Sequence, residues 1–534
     1  MKQINPALTG RISPRTPFII LAAWIIYLFA AYPFSAVNAD VADFGILGDD
    51  LIKYGYLPTF PYGQDYLFSL TPYLYALLRL ALPATVSSAI VIKGAGAVFL
   101  LAGLFMMSEA IAVTERSEGR DPVFRSAVFC AFVAVFPTHL FTINEMASLE
   151  MSFFTLGAII LAGAKIEPAI GGNGVAGLRF PLMFGGALGF AMISRPQAAV
   201  YGFCALSVLV AKTWRKAGAR SVALLAAPIV AAAAAGWTPV ILHKIFRAHK
   251  WPFTLKTGIH ISSMSELHDR IELFYRKIIP SMFDLGPDQP VFSALAALGA
   301  LLALGWFFAA AFKDRRISAA DFQFVAGSAI IVAVMLAIPG MSASTGHRRY
   351  ILHAFTGTAW LFASWACMGL WRKRGAALLL AAIAVLSIPM WRERLDGEKE
   401  RNMNFIDTAA MVPGLAAHGY IFIADYWDAY LLVFISGGKV KAEPLPWQLV
   451  RRYGAIPEKE MAENSVWIIP EGLGGEVHEK LASNFGRPDA IREMYITLFG
   501  KRRVMTWFDD GSMAAKMMRR ENPLYFPTRY PPGS

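Results

Sequence analysis

Along most of this chain, apolar runs about as long as a bilayer is thick alternate with short polar turns. The first run spans Pro17 to Val37. A helical pattern follows at once: Asp40 and Asp43 fall on one face beside Phe44 and Leu47, while Asp49 and Asp50 point elsewhere. Tyr54-Gly55-Tyr56-Leu57-Pro58 closes that helix. A second amphipathic piece runs from Leu70 to Leu82, opened by Thr71 and Pro72 as cap and first-turn proline. It is too short to cross and is expected to lie in the plane of the interface. Further runs cover Thr85 to Met107, a stretch ending near His139, Glu150 to Lys165, Arg179 to Ser194, and a descent to Lys212-Thr213-Trp214-Arg215-Lys216. Then come Ser221 to Leu242, Val291 to Phe312, Asp321 to Pro339, Ile351 to Trp371 and Ala376 to Met390. The pattern predicts an α-helical polytopic membrane protein with about eleven crossings.

From Trp391 the apolar periodicity stops. Gly419 to Asp425 reads as a strand, Tyr426 to Ile435 as a helix, Lys439 to Glu443 and Val466 to Pro470 as strands. Glu476 to Phe485 reads as a helix, and Ile491 to Phe508 as a hairpin around Gly500-Lys501. Strands alternating with helices predict a small α/β domain. The expected division is a membrane domain over 1–390, with an external loop at 38–83, and a soluble α/β domain over 391–534.

Composition agrees: 56% of residues are hydrophobic and only 16% charged, which excludes a soluble enzyme of this length. The net charge of +12 sits in short loops between apolar runs, where topology and anionic lipid explain it and nucleic acid does not. Cys130, Cys204 and Cys367 all lie inside apolar runs, so neither a disulfide framework nor a cysteine zinc site is expected. Lys2, Arg11 and Arg15 precede the first run, which puts the N-terminus in the cytoplasm and the Asp40 loop outside. An odd number of crossings then leaves the C-terminal domain outside as well. One external loop, His243 to Asp288, is basic against this rule, as if it met an anion such as a lipid phosphate.

Charged groups within or at the edge of a span are costly and mark function by default. Glu150 opens one run, Lys93 lies inside another, Arg195 stands in Ser194-Arg195-Pro196 at an outer end, and Gly346-His347-Arg348-Arg349-Tyr350 opens a late run. Taken singly, each has a bland reading: an acid facing water, a snorkelling lysine, an interface anchor. An arginine pair at an external edge is harder to explain that way, and its planar donors suit a phosphate.

The first external loop, with its acid just past the first run, a helix ending in glycine, Tyr62-Gly63-Gln64-Asp65-Tyr66 and the Pro72-to-Tyr75 helix, resembles that of the polyprenyl-phosphate-sugar-dependent glycosyltransferases of the GT-C fold. These are the protein O-mannosyltransferase and aminoarabinose transferase superfamily. The resemblance implies that the loop's first acid is the catalytic carboxylate. Registering Phe44-Gly45 on the family's aromatic-glycine step makes it Asp40, with Asp43 as the alternative one turn later. Glu150 is similar to the family's second acid. Lys93, Arg195, Arg348 and Arg349 match its basic positions and are expected to hold the donor phosphate, while Tyr62, Gln64, Tyr66 and Tyr73 are expected to contact substrate. Where family members carry a proline after Arg-Tyr, this chain has His353.

The resemblance implies an inner-membrane enzyme of a bacterium, moving one sugar from a polyprenyl phosphate to an envelope acceptor at the outer face with inversion. No Gly-rich phosphate loop and no cytoplasmic Asp-x-Asp suggests a nucleotide donor. Asp40, Asp43 and Glu150 could ligate a divalent metal, though no spacing demands one. The alternative from another class is a transporter or flippase of a lipid-linked sugar, for which midplane sites and paired repeats would speak.

Overall fold

The computed structural model describes residues 13–34, 37–55, 68–136, 140, 149–170, 178–241, 263–278, 318–338, 351–444, 465–471 and 490–508. The apolar run at 291–312 and the helix expected at 476–485 lie outside these. Helix α1, Thr16–Ala31, is followed by α2, Ala39–Tyr54, whose Asn38 cap accepts a hydrogen bond from the Val41 amide. Gly55, at φ 62°, ends α2 in the left-handed conformation that glycine adopts without strain. Helix α3, Thr71–Ala81, buries Thr71, Pro72, Tyr75 and Ala76 and exposes Leu77 and Leu80.

Then come α4 (Ser88–Ser117), α5 (Pro122–Val135), α6 (Leu149–Ile166), α7 (Arg179–Ser194) and α8 (Pro196–Gly236). The last is two antiparallel passes, because Gly218 breaks the helix at φ 75°, ψ −176°. A short helix α9, Met264–Leu273, opens on a Ser263–Glu266 capping box. Helices α10 (Ala319–Ala337), α11 (Leu352–Ala366) and α12 (Leu370–Ala417) complete the bundle. Among the described residues, α4, the segment Leu149–Ala169, α8, α10 and α12 are long and apolar enough to cross a membrane, and α1, α5 and α7 are shorter apolar helices. Leu224, Val230, Leu378 and Leu386 are exposed, which a lipid environment permits.

The bundle closes through small residues. A Cβ on Gly103 would lie 2.4 Å from the Phe153 carbonyl oxygen, and one on Gly157 would lie 2.4 Å from that of Gly103, so α4 and α6 touch backbone to backbone. Gly157→Val should destabilise the bundle by about 1–3 kcal/mol, since backbone cannot step aside as a side chain can. Gly186→Ala, which meets open space, should not. Thermal unfolding in detergent compares the two, and equal midpoints would contradict this packing.

One end of the bundle is ionic. Arg125 donates to Glu115 at 2.6 Å, to Asp321 at 3.4 Å and to Ser364, and lies over the Trp360 ring at 4.9 Å. The Trp360 indole also donates to Asp321, at 2.9 Å. Arg15 at the start of α1 pairs with Glu109, and Lys373 at the start of α12 lies over Phe124, on the same side. From there α12 runs along α5, with the Trp391 indole donating to the Val135 carbonyl. It passes the end of α1, where Asn402 accepts from the Phe34 amide and Phe405 stacks on Phe34. The helix continues through the Met390–Trp391 step without a break, so the change in composition there is not a change in backbone. At about 1.5 Å per residue it is roughly 70 Å long, and it carries the C-terminal part of the chain to the end opposite Arg15.

That part is a five-stranded sheet in the order β2-β1-β3-β5-β4, from β1 (Ile421–Ala424), β2 (Lys441–Pro444), β3 (Ser465–Pro470), β4 (Ala490–Leu498) and β5 (Lys501–Phe508). Strand β1 is parallel to β2 and β3, and β5 is antiparallel to β3 and β4. Helix α13, Tyr426–Ile435, crosses from β1 to β2. The β4–β5 hairpin turns on Phe499 and Gly500, both at positive φ, and the Phe499 amide donates to Thr408 of α12 at 2.7 Å. Val41, Phe44 and Leu47 of α2, Ile92 and Ala95 of α4, Phe434 of α13 and Phe422 of β1 share one core. The sheet, α2 and the first turns of α4 are thus packed around one core.

Candidate active site

The site grows from α2. Its Asn38 cap sets the first turn, which places Asp40 half-buried at the rim and Asp43 one turn on, 1% exposed. The two sides of α2 are shaped by glycine. Phe434 of α13 occupies the space a Cβ on Gly45 would need, 2.1 Å from a ring carbon, and Tyr75 of α3 does the same at Gly48. Tyr75 also donates its hydroxyl to Asp49 at 2.9 Å, which accounts for one of the acids that points away from Asp40. Tyr426, the first residue of α13, donates its hydroxyl to Asp40 Oδ1 at 3.0 Å. Burial first, then the charges of Asp40 and Asp43, hold the Tyr426 phenol well above its usual range, so it stays a proton donor.

Behind α2, the first turns of α4 carry the next residues. Ala89, Ile92 and Ala95 face α2 in the shared core. Lys93, 6% exposed, donates to the Tyr32 carbonyl at the end of α1 at 2.9 Å and lies over the Phe29 ring. A cation at a helix C-terminus is favourable in itself, so part of the Lys93 donor capacity is spent on the frame. Gly96, one turn further, leaves room for Glu150: a Cβ there would stand 2.6 Å from Glu150 Oε1. Glu150 lies in the first turn of α6, 4% exposed, and among the described residues its Oε2 has no hydrogen-bond partner. Lys93 and Arg195 are near enough for their charges to act on it.

Arg195 sits at the corner between α7 and α8, half-buried, where Pro196 forbids continuation of α7. Its charge also reaches His353. His353, 1% exposed in the first turn of α11, has Nε2 at 2.9 Å from Ser152 Oγ, stacks on Phe153 and leans on Tyr201. Its Nδ1 has no hydrogen-bond partner among the described residues. The first loop returns to this corner: the Phe68 amide donates to the Ile193 carbonyl at 2.9 Å, and Tyr73 packs with Phe68, Ile193 and Phe190.

Four of the residues singled out from sequence or standing beside them, Lys93, Glu150, Arg195 and His353, therefore gather at the ends of α4, α6, α7 and α11. Asp40 and Asp43 lie across the start of α4 from them. Tyr62, Gln64, Tyr66, Arg348 and Arg349 lie outside the described residues. Sequence reasoning missed Tyr426 altogether and saw His353 only as a departure from a family proline. A buried histidine opening an apolar run was the signal for the latter. Among the described residues, no group of three His, Cys, Asp or Glu side chains is placed to hold a metal ion.

No protein-family model matches this chain, and no curated protein matches it. Solved structures do. The chain superposes on ArnT from Cupriavidus metallidurans bound to undecaprenyl phosphate with a TM-score of 0.50 at 12% identity, over 91% of this chain and 97% of that one. It superposes on the oligosaccharyltransferase of Archaeoglobus fulgidus, solved with zinc and sulfate, with a TM-score of 0.50 at 10% identity, over 93% of this chain and 73% of that one. At such identities what is shared is the architecture: this chain has the GT-C fold.

Proposed function

We propose that this protein is a membrane glycosyltransferase that moves one sugar from a polyprenyl phosphate to an envelope acceptor, at the outer face and with inversion. The observation that carries the reading is the meeting of acids and cations at one end of a GT-C bundle. Asp40 and Asp43 open the first loop, and Glu150, Lys93 and Arg195 close around its return. The undecaprenyl phosphate bound to ArnT supports a lipid-phosphate donor.

In this mechanism the acceptor O–H or N–H attacks the anomeric carbon as the bond from that carbon to the phosphate oxygen breaks. The bonding pair leaves with the phosphate, which is already anionic and needs cations more than a general acid. Lys93, Arg195, Arg348 and Arg349 supply them. The acceptor proton passes to Asp40, and Glu150 orients the acceptor. Asp40, Asp43 and Glu150, each of which could ligate a divalent metal, are not grouped closely enough to hold one together. The N-terminus is cytoplasmic in this reading and the sheet is periplasmic.

The test is direct. Purified full-length protein in liposomes is given a panel of undecaprenyl-phosphate-linked hexoses, pentoses and aminopentoses with a crude envelope fraction as acceptor. Sugar should appear on the acceptor, with undecaprenyl phosphate released in equal amount. Movement of the intact lipid-linked sugar across the bilayer, without transfer of any panel member, would replace this reading with the transporter.

A further inference from the structure

The hydrogen bond between Tyr426 and Asp40 joins residues 386 apart in sequence, one on the first external helix and one at the start of the helix that crosses the sheet. We infer that Tyr426 is a positioning residue for Asp40, so that the C-terminal sheet supplies part of the active centre. The inference rests on the proposed role of Asp40 as the base.

Tyr426 is held on every side. Asp425 caps α13 by accepting from the Asp428 amide, and Arg503 of β5 donates to Asp428 at 2.5 Å and approaches Asp425 at 3.7 Å. The helix N-terminus is therefore fixed to the sheet by an ion cluster that is largely buried. The Tyr426 ring packs against Trp427 at 5.3 Å and Tyr430 at 5.0 Å between centroids. Further along α13, Phe434 fills the space over Gly45. Two contacts, Tyr426 on Asp40 and Phe434 on Gly45, thus fix α13 against the first turns of α2.

The chemistry follows from the two oxygens of a carboxylate. Oδ1 accepts the phenol hydrogen, which fixes the plane of the group, and Oδ2 is the oxygen left to take a proton from the acceptor. Because the phenol keeps its own proton, Tyr426 does not become a third anion beside Asp40 and Asp43. A base must sit within hydrogen-bond reach of the proton it takes, so losing the bond costs orientation first. Donor binding, carried by cations outside α13, is untouched.

The experiment is a double-mutant cycle on the purified full-length protein, with the panel donor that the wild type turns over fastest. Tyr426→Phe keeps the ring and removes only the hydroxyl. It should lower kcat about tenfold with KM for the donor changed less than about twofold. In an Asp40→Asn background the same substitution should change nothing, because the group it positions is already disabled. Wild-type kcat in Tyr426→Phe overturns the inference. So does an equal fall in both backgrounds, which would make Tyr426 a structural clasp. Full activity of Asp40→Asn, or no turnover of any donor by the wild type, refutes the underlying reading of the site instead.

Discussion

Protein carrying Asp40→Asn should transfer sugar about 10²-fold more slowly than wild type, or worse, while binding the lipid-linked donor as well as before. The amide matches the carboxylate in size and still accepts the Tyr426 hydrogen at its oxygen, so local structure survives. What disappears is proton acceptance. With the acceptor proton in place, attack on the anomeric carbon has a higher barrier, and the cations that hold the phosphate do not notice. The defect therefore belongs in kcat and not in donor affinity. Asp43→Asn should be milder, since Asp43 is buried beneath the rim that Asp40 occupies. If Asp43 is the base, the two variants exchange phenotypes. Full transfer activity in both single variants and in the double would rule out a carboxylate base on α2.

At the other end of the bundle, Arg125→Met should cost about 3–5 kcal/mol, because it strands the buried Glu115, with the half-buried Asp321 beside it, both of which Arg125 now neutralises. Arg125 is 2% exposed and joins Glu115 of α4 to Asp321 of α10 and Ser364 of α11. Arg120 reaches Glu115 only from the rim, at 3.3 Å, and is shared with Glu118. Methionine fills much of the volume, so the loss is electrostatic and not a cavity. Adding Glu115→Gln to Arg125→Met should recover part of the stability by removing one uncompensated charge. Thermal unfolding in detergent reads both changes. A midpoint unmoved by Arg125→Met would mean that the cluster contributes nothing net.

The parts of this chain with strong local periodicity were legible in its sequence. Tyr426–Ile435 forms the helix its pattern predicts, and the hairpin turns one residue before Gly500-Lys501, on Phe499-Gly500. The acids of the first loop stand out because an apolar run precedes them, and Glu150 because a charge opening a span is costly. The rest depends on pairings that no local window contains. The continuation of α12 past Met390 was hidden by its mixed composition, although Arg394 and Arg401 both pair with Glu398 at helical spacing, at 2.8 and 3.2 Å. Tyr426 looks like an ordinary first-turn aromatic until the fold sets it on Asp40. His353 reads as a lost proline until Ser152, Phe153 and Arg195 are seen around it.

The core shared by α2 and the sheet also bears on how the protein is made. Ribosomes add about 5–20 residues per second, so the 386 residues between Asp40 and Tyr426 take about 20–80 s to synthesise. During that interval α2 has left the ribosome and α3 and α4 can pack on it, but the side of Gly45 that receives Phe434 stays open. The nascent chain thus holds its acids and cations at the membrane well before α13 exists to complete them. A ribosome that stalls before residue 426 leaves behind a bundle with an exposed apolar strip and an unbraced Asp40. That strip is a natural handle for the chaperones and proteases that sort unfinished membrane proteins.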